Sequence, residues 1–205
     1  VSDTKRSVLV LFAHPAPRRS EVNRPMMRAA ARVPGVTVVD LYAEYPTLDF
    51  DIDREQARLR EHDVVIFQHP LYWYSTPAIL KEWQDLVLEH GFAYGAGGTA
   101  LEGKIFLSAT TTGGARSAYD DHGYNAYQLH ELLRPLEQMA HLCGMTYLPP
   151  FALFASRRAR EEGRIPAHID SWTSLLRMLT EDRLDLSAAA RADLLNPFVK
   201  TAAEA

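Results

Sequence analysis

Ser7-Val8-Leu9-Val10-Leu11-Phe12-Ala13 runs directly into His14-Pro15. The segment is short, apolar after its first residue and rich in branched side chains, so it reads as a strand buried on both faces rather than a half-exposed one. Lys5 and Arg6 ahead of it outline the start of a secretory leader, but His14, Pro15 and Pro17 end the apolar run too early for one, and no stretch of the chain is long enough to span a bilayer. Three similar runs follow at residues 36–41, 63–68 and 104–110, separated by longer stretches with helical spacing. That alternation predicts a parallel sheet with helices on both faces.

The intervening segments support it. Residues 21–33 place Met26, Met27, Ala30 and Val33 at helical intervals, with Ser20 where an N-cap belongs and Pro34-Gly35 as a stop. Residues 53–62 form a charged, weakly amphipathic helix. Residues 77–90 form a stronger one, with Ile79, Leu80, Trp83, Leu86 and Val87 on one stripe and Pro77 in its first turn. A long helical pattern from Asn125 to about Cys143 should kink or break at Pro135 and stop at Gly144. A fifth strand falls within residues 145–154 despite Pro149 and Pro150, and a fifth helix within residues 166–183. The expected architecture is a doubly wound α/β domain over residues 1–184. Residues 185–205, alanine-rich with a modest apolar stripe, are expected as a C-terminal tail or subunit-contact arm.

Composition narrows the function. The chain of 205 residues is 47% hydrophobic and 23% charged, ordinary values for one folded domain. A formal charge of -4 lacks the electrostatic footprint of a nucleic-acid binder, so no nucleic-acid partner is expected. Cys143 is the one cysteine, which excludes an internal disulfide framework and is compatible with a reducing compartment. His62, His130, His141 and His168 show no paired ligand spacing, and no metal site is expected.

In a doubly wound sheet, ligands bind beyond the carboxyl ends of the strands where the winding reverses. The segment after strand one, His14-Pro15-Ala16-Pro17-Arg18-Arg19-Ser20-Glu21-Val22-Asn23, contains no glycine and so lacks the dinucleotide fingerprint. It offers a hydroxyl, an amide and two cations at a helix start, which suits a phosphate; the plainer reading has Ser20 simply capping the helix. After strand three, His69-Pro70-Leu71-Tyr72-Trp73-Tyr74-Ser75-Thr76-Pro77 makes a stiff aromatic loop, suited to one face of a flat ring or, equally, to a hydrophobic plug or dimer contact. After strand four, Thr110-Thr111-Thr112-Gly113-Gly114 lets backbone N–H groups approach developing negative charge, although a simple tight turn would look the same. The cluster Arg157-Arg158-Ala159-Arg160, followed by Glu161-Glu162, reads as a solvated loop.

Taken together, His14…Ser20…Asn23, Pro70 to Lys81, Phe92-Ala93-Tyr94-Gly95 and Thr111-Thr112-Gly113-Gly114 resemble the flavodoxin-like NAD(P)H:quinone oxidoreductase (DT-diaphorase-like) family over about residues 7–155. Within it, residues 68–74 and 91–104 are most similar to the short bacterial branch containing the ancillary flavoproteins of glutathione-gated potassium-efflux systems. The resemblance implies a flavodoxin-like five-stranded parallel sheet in order 2-1-3-4-5. It implies a flavin, FMN before FAD because the C-terminal part is short, with NADH or NADPH as donor. His14, Ser20, Glu21, Val22 and Asn23 would meet the phosphate and ribityl chain, Leu71, Tyr72, Trp73 and Tyr74 the ring, and Thr111, Thr112, Gly113 and Gly114 its pyrimidine side. His90 and Gly91 match a further place of flavin contact in the short branch. Gly113, Gly114 and Tyr119 are the implied catalytic groups, with Asn125 standing where the DT-diaphorase branch has a histidine that assists hydride transfer.

The activity implied is two-electron, ping-pong reduction of a quinone or similar electrophile. The implied setting is a cytoplasmic homodimer, at the inner face of the cell membrane where a protein partner holds it there. The alternative is a regulatory subunit that binds and activates a potassium-efflux transporter. A one-electron flavodoxin carrier fits less well, given the modest charge and the long loop bearing Tyr119.

Overall fold

A computed structural model describes residues 6–199. Four strands form on the continuous branched runs: β1 (Val8–Phe12), β3 (Val64–Pro70) and β4 (Ile105–Thr111) are buried throughout, and β2 (Val36–Asp40), at the sheet edge, is only partly covered. All pair in parallel. The fifth position of the sheet is split. Pro149-Pro150 cannot donate to a ladder, so the expected single strand becomes β5 (Thr146–Tyr147) and β6 (Phe151–Leu153), both parallel to β4 at different heights. The sheet order is β2-β1-β3-β4-β5, with β6 on β4, so six short strands realise the five-position flavodoxin-like arrangement.

Alternate side chains of the strands feed two cores. Val8 and Val10 of β1 pack with Met26 and Ala30 of α1 (Asn23–Ala30) and with Trp172, Leu175, Leu176 and Leu179 of α7 (Ile165–Thr180). The Trp172 indole N–H donates to the Met26 carbonyl at 3.2 Å and ties these two helices together. Leu9 and Leu11 face the other way. They meet the group containing Leu41 of α2 (Leu41–Glu44), Leu59 of α3 (Ile52–Glu61), Ile79, Leu80 and Trp83 of α4 (Ala78–Val87), Leu129 of α5 (Leu129–Leu132) and Leu136 of α6 (Arg134–Leu142). Pro77 stands one residue before its helix rather than inside it. The long helix expected from Asn125 is also shortened: residues 120–128 remain loop, and Pro135, placed in the first turn of α6, marks the break between α5 and α6.

The stretch expected as a tail or subunit-contact arm packs onto the domain as far as residue 199. It contains α8 (Leu186–Ala189) and buries Ala189, Leu195 and Val199. Asn196 pairs with the exposed edge of β6, its side chain accepting from the Ala152 N–H and donating to the Ala152 carbonyl, both at 2.9 Å. An amide side chain so placed satisfies an edge that would otherwise be open to strand addition. Residues 200–205 lie outside the described part.

Two buried histidines make the fold acid-sensitive. Burial lowers His69 and His168 to about 4 from an ordinary value of 6.5, and His168 is further held by stacking on Phe151 at 4.6 Å. Between those pH values the unfolded chain binds protons that the folded chain refuses. The associated stability is therefore complete above pH 6.5 and is lost as pH falls toward 4, by up to roughly 1.4 kcal/mol per pH unit per histidine. Urea unfolding between pH 7 and 4.5 should show this slope, and His168→Gln should flatten it; an unchanged slope in the variant would contradict the assignment.

Candidate functional site

The carboxyl ends of β1, β3, β4 and β6 surround two meeting cavities. The larger, about 820 Å³, is lined by His14, Ala16, Arg19, Ser20, Glu21, Val22 and Asn23 on one side, and by Pro70–Trp73, Thr111, Gly113, Ser156 and Arg157 on the other. The smaller, about 290 Å³, is bounded by Leu71, Trp73, Tyr74, Gly113, Gly114, Tyr119, Tyr124, Asn125 and Arg157. Together they have the size of a cofactor cleft. Leu71, Trp73, Gly113 and Arg157 belong to both.

The first loop places its donors by local hydrogen bonds. The ring Nδ1 of His14 accepts the Ala16 N–H at 3.1 Å, which leaves Nε2 to carry the proton of the neutral ring, and burial lowers the pKa of His14 to favour that form. Ser20 Oγ accepts the Asn23 N–H at 2.9 Å. It caps from three residues upstream, because residues 17–19 form a 3-10 turn and α1 begins only at Asn23. Asn23 is buried and donates through Nδ2 to Thr111 Oγ1 at 2.8 Å, while its Oδ1 has no partner among the described residues. That oxygen is an unmet acceptor buried beside the cleft. Glu21 is paired with Arg160 at 2.6 Å, which offsets its charge beside this region.

The aromatic loop turns on two residues in the left-handed region, Trp73 (φ 50°) and Tyr74 (φ 63°). They occupy the centre of a tight hairpin closed by reciprocal backbone bonds between Tyr72 and Ser75, both 3.1 Å. Asn-Gly is the ordinary solution at such a turn, and a bulky pair there stores on the order of 1 kcal/mol or more per residue. The strain puts Trp73 at the shared wall of both cavities, and the Tyr74 hydroxyl donates to Asn125 Oδ1 at 3.1 Å.

The glycine loop leaves its N–H groups open. Neither Gly113 nor Gly114 donates its N–H to an acceptor among the described residues. A side chain built on Gly113 would meet nothing within 4 Å, whereas one on Gly114 would press on the Tyr124 hydroxyl at 3.0 Å and the Tyr119 ring at 3.2 Å. Thr112 is fully buried and lines neither cavity; its hydroxyl donates to the Gly114 carbonyl at 2.9 Å and so shapes the loop. Tyr119 follows a 3-10 turn at Arg116–Ala118, packs near Phe154 and lines the smaller cavity, and burial raises its phenol pKa. His90 and Gly91 stand apart, in a turn where the Gly91 N–H donates to the Tyr94 carbonyl at 2.8 Å; they line neither cavity.

Arg19, one of the two cations expected at the first loop, lines the larger cavity, whereas Arg157, Ser156 and Tyr124 were not expected here. The rule that ligands gather at strand carboxyl ends applies to β6 as well, and following that last strand to its end would have pointed to residues 156 and 157.

The fit to a flavin is favourable: an open donor and acceptor set at one end, an aromatic wall, and free N–H groups opposite an unfilled space at Gly113. A family model described as flavodoxin-like fold matches residues 6–176, and the chain belongs to that family. A glutathione-regulated potassium-efflux system ancillary protein, KefG, of Serratia proteamaculans is 50% identical over 155 residues, covering 76% of this chain and 85% of that protein. Among solved structures, general stress protein 14 of Treponema denticola in complex with FMN superposes with TM-score 0.79 at 34% identity, over 84% of this chain and 99% of that one. An NADPH-quinone reductase of P. pentosaceus gives TM-score 0.74 at 31% identity, over 82% and 96%. Among the described residues, no helix is long and apolar enough to cross a membrane.

Proposed function

We propose that this chain binds FMN in the joined cavities and relays hydride from NADH or NADPH to a quinone. The observation that carries the reading is the pairing, on one cleft, of a polar end at His14–Asn23 with a glycine loop whose Gly113 and Gly114 N–H groups make no backbone hydrogen bond among the described residues. FMN bound there would supply two-electron chemistry, carrying hydride from the nicotinamide to the quinone, with solvent providing the one proton that completes the hydroquinone. His14 Nε2, the Ser20 hydroxyl and Asn23 hold the phosphate and ribityl chain, and Leu71 and Trp73 cover the ring. The N–H groups of Gly113 and Gly114 would serve the pyrimidine edge, where donors placed in advance favour the more negative, reduced state. Tyr119, whose phenol burial holds above its ordinary pKa, and Asn125, fixed by Tyr74, bound the space where the acceptor enters.

Tyr72, Trp73, Tyr74 and Tyr124 are 45–93% exposed at the mouth of the cleft. A second copy of the chain supplies the missing outer wall in this reading, and the protein works in the cytoplasm as a homodimer. Purified holoprotein should oxidise NADH or NADPH rapidly only when menadione is added, with parallel double-reciprocal plots. Absence of quinone-dependent turnover with both nucleotides would overturn the proposal.

The strained turn yields a specific expectation. Replacing Trp73 by Asn together with Tyr74 by Gly should raise the thermal midpoint by about 2–4 °C through relief of strain, while weakening FMN at least about tenfold by removing the wall. A variant that gains stability and keeps its FMN affinity would remove Trp73 from the site.

The second reading is favoured by the potassium-efflux relative at 50% identity. In it the chain is a regulatory subunit that docks on a potassium-efflux transporter. Co-purification with the transporter, with activation surviving Gly113→Val, would favour docking over turnover.

A further inference from the structure

We infer that Arg157 is the group that meets the negative charge placed on the bound ring by reduction, and so raises the ring's potential. The inference rests on the flavin reading above. Of the nine residues lining the smaller cavity, Arg157 alone carries a charge at neutral pH; Gly113, Gly114, Tyr119 and Asn125 offer only neutral donors.

Its neighbours are engaged elsewhere. Arg158 pairs with Glu162 at 3.7 Å, Arg160 with Glu21 at 2.6 Å and Arg164 with Glu162 at 2.7 Å, whereas Arg157 has no carboxylate partner among the described residues. The cation left free in this basic loop is the one at the junction of the two cavities.

The loop is also built to hold it there. Ala155 adopts φ 52°, a left-handed conformation that costs an alanine on the order of 1 kcal/mol. This bend lets the Ala155 N–H donate to the Gly114 carbonyl at 2.7 Å and the Ser156 N–H to the Thr112 carbonyl at 2.9 Å. The chain just before Arg157 is thus stitched to the glycine loop itself. Arg164 locks the bend from behind, donating to the carbonyls of Phe154 and Ala155 at 3.0 and 3.1 Å. The anchored backbone keeps the base of the Arg157 side chain beside the cleft, and a cation beside a ring edge that becomes negative favours the reduced form, because the attraction exists in that state and is absent in the oxidised one.

The test is the two-electron midpoint potential of FMN bound to the full chain, measured by equilibration with reference dyes. Arg157→Gln should lose about tenfold in its preference for reduced over oxidised FMN, which converts to a potential about 30 mV lower. Arg157→Lys, which keeps the charge, should recover most of the difference. Arg158→Gln, one residue away but paired outward, should match wild type. A potential in Arg157→Gln equal to wild type, or an equal drop in Arg158→Gln, would overturn the inference while leaving flavin binding intact. A wild-type chain that takes up no flavin would overturn both the inference and the reading beneath it.

Discussion

Gly113→Val should leave a folded protein that can no longer hold flavin. The substitution is nearly free for the fold: the backbone at this position lies outside the left-handed region, and an added Cβ meets no atom within 4 Å. It is costly for a ligand, because Gly113 borders both cavities and its side-chain direction is the space the ring would fill. A branched side chain there blocks the N–H groups of the loop as well as the volume in front of them. FMN affinity should fall at least about a hundredfold, equivalent to about 3 kcal/mol, with the thermal midpoint of the flavin-free protein unchanged. Fluorescence titration with FMN, alongside a melting curve, checks both halves. Gly114→Ala is the contrasting case, since its Cβ would crowd Tyr119, Tyr124 and Ala118 and should cost stability too.

Glu55→Ala should be the most destabilising single change. Glu55 is a fully buried carboxylate between α3 and α4. It accepts from the Tyr45 hydroxyl at 2.7 Å and the Trp83 indole N–H at 2.9 Å, and it pairs with Arg58, which also reaches Glu44 at 2.8 Å. Removing it strands two buried donors and a partly buried guanidinium, a loss of about 3–5 kcal/mol, or roughly 6–20 °C in the thermal midpoint at this chain length. The network lies under the face of the sheet covered by α3 and α4, away from the residues lining the cleft, so the folded fraction should keep its FMN affinity. Equal losses of stability and affinity would show that the two faces of the sheet are coupled.

The central sheet was legible because its strands are continuous branched runs. Each of the first four falls within two residues of its expected bounds at either end. The fifth was blurred by Pro149-Pro150, which divides one strand position into two short pieces. Residues 125–128 have helical spacing, but the chain there is held by turns and by the Tyr74–Asn125 bond, so the helix starts later. Tertiary contact overrode local pattern again at residues 185–199, where Asn196 closes the β6 edge.

Most of the candidate site follows from the strand-end rule together with the residue types at positions 14–23, 71–74 and 111–114. Two expectations line neither cavity: Thr112 shapes the glycine loop from behind, and His90-Gly91, implied by the family resemblance alone, closes a separate turn. Arg157 was hidden for a different reason. The alternation of arginine and glutamate around it looks like a solvated face, and three of its four arginines do pair with glutamates. Only the bend at Ala155 and its bonds to the glycine loop distinguish the fourth.

The most direct test separates the two half-reactions without oxygen. The purified chain is saturated with FMN, freed of excess, and titrated first with NADPH or NADH and then with menadione. One equivalent of nucleotide should bleach the yellow colour stoichiometrically, and one equivalent of quinone should restore it in full. Tight FMN binding with no bleaching by either nucleotide would contradict it and leave the chain a flavin-bearing docking subunit.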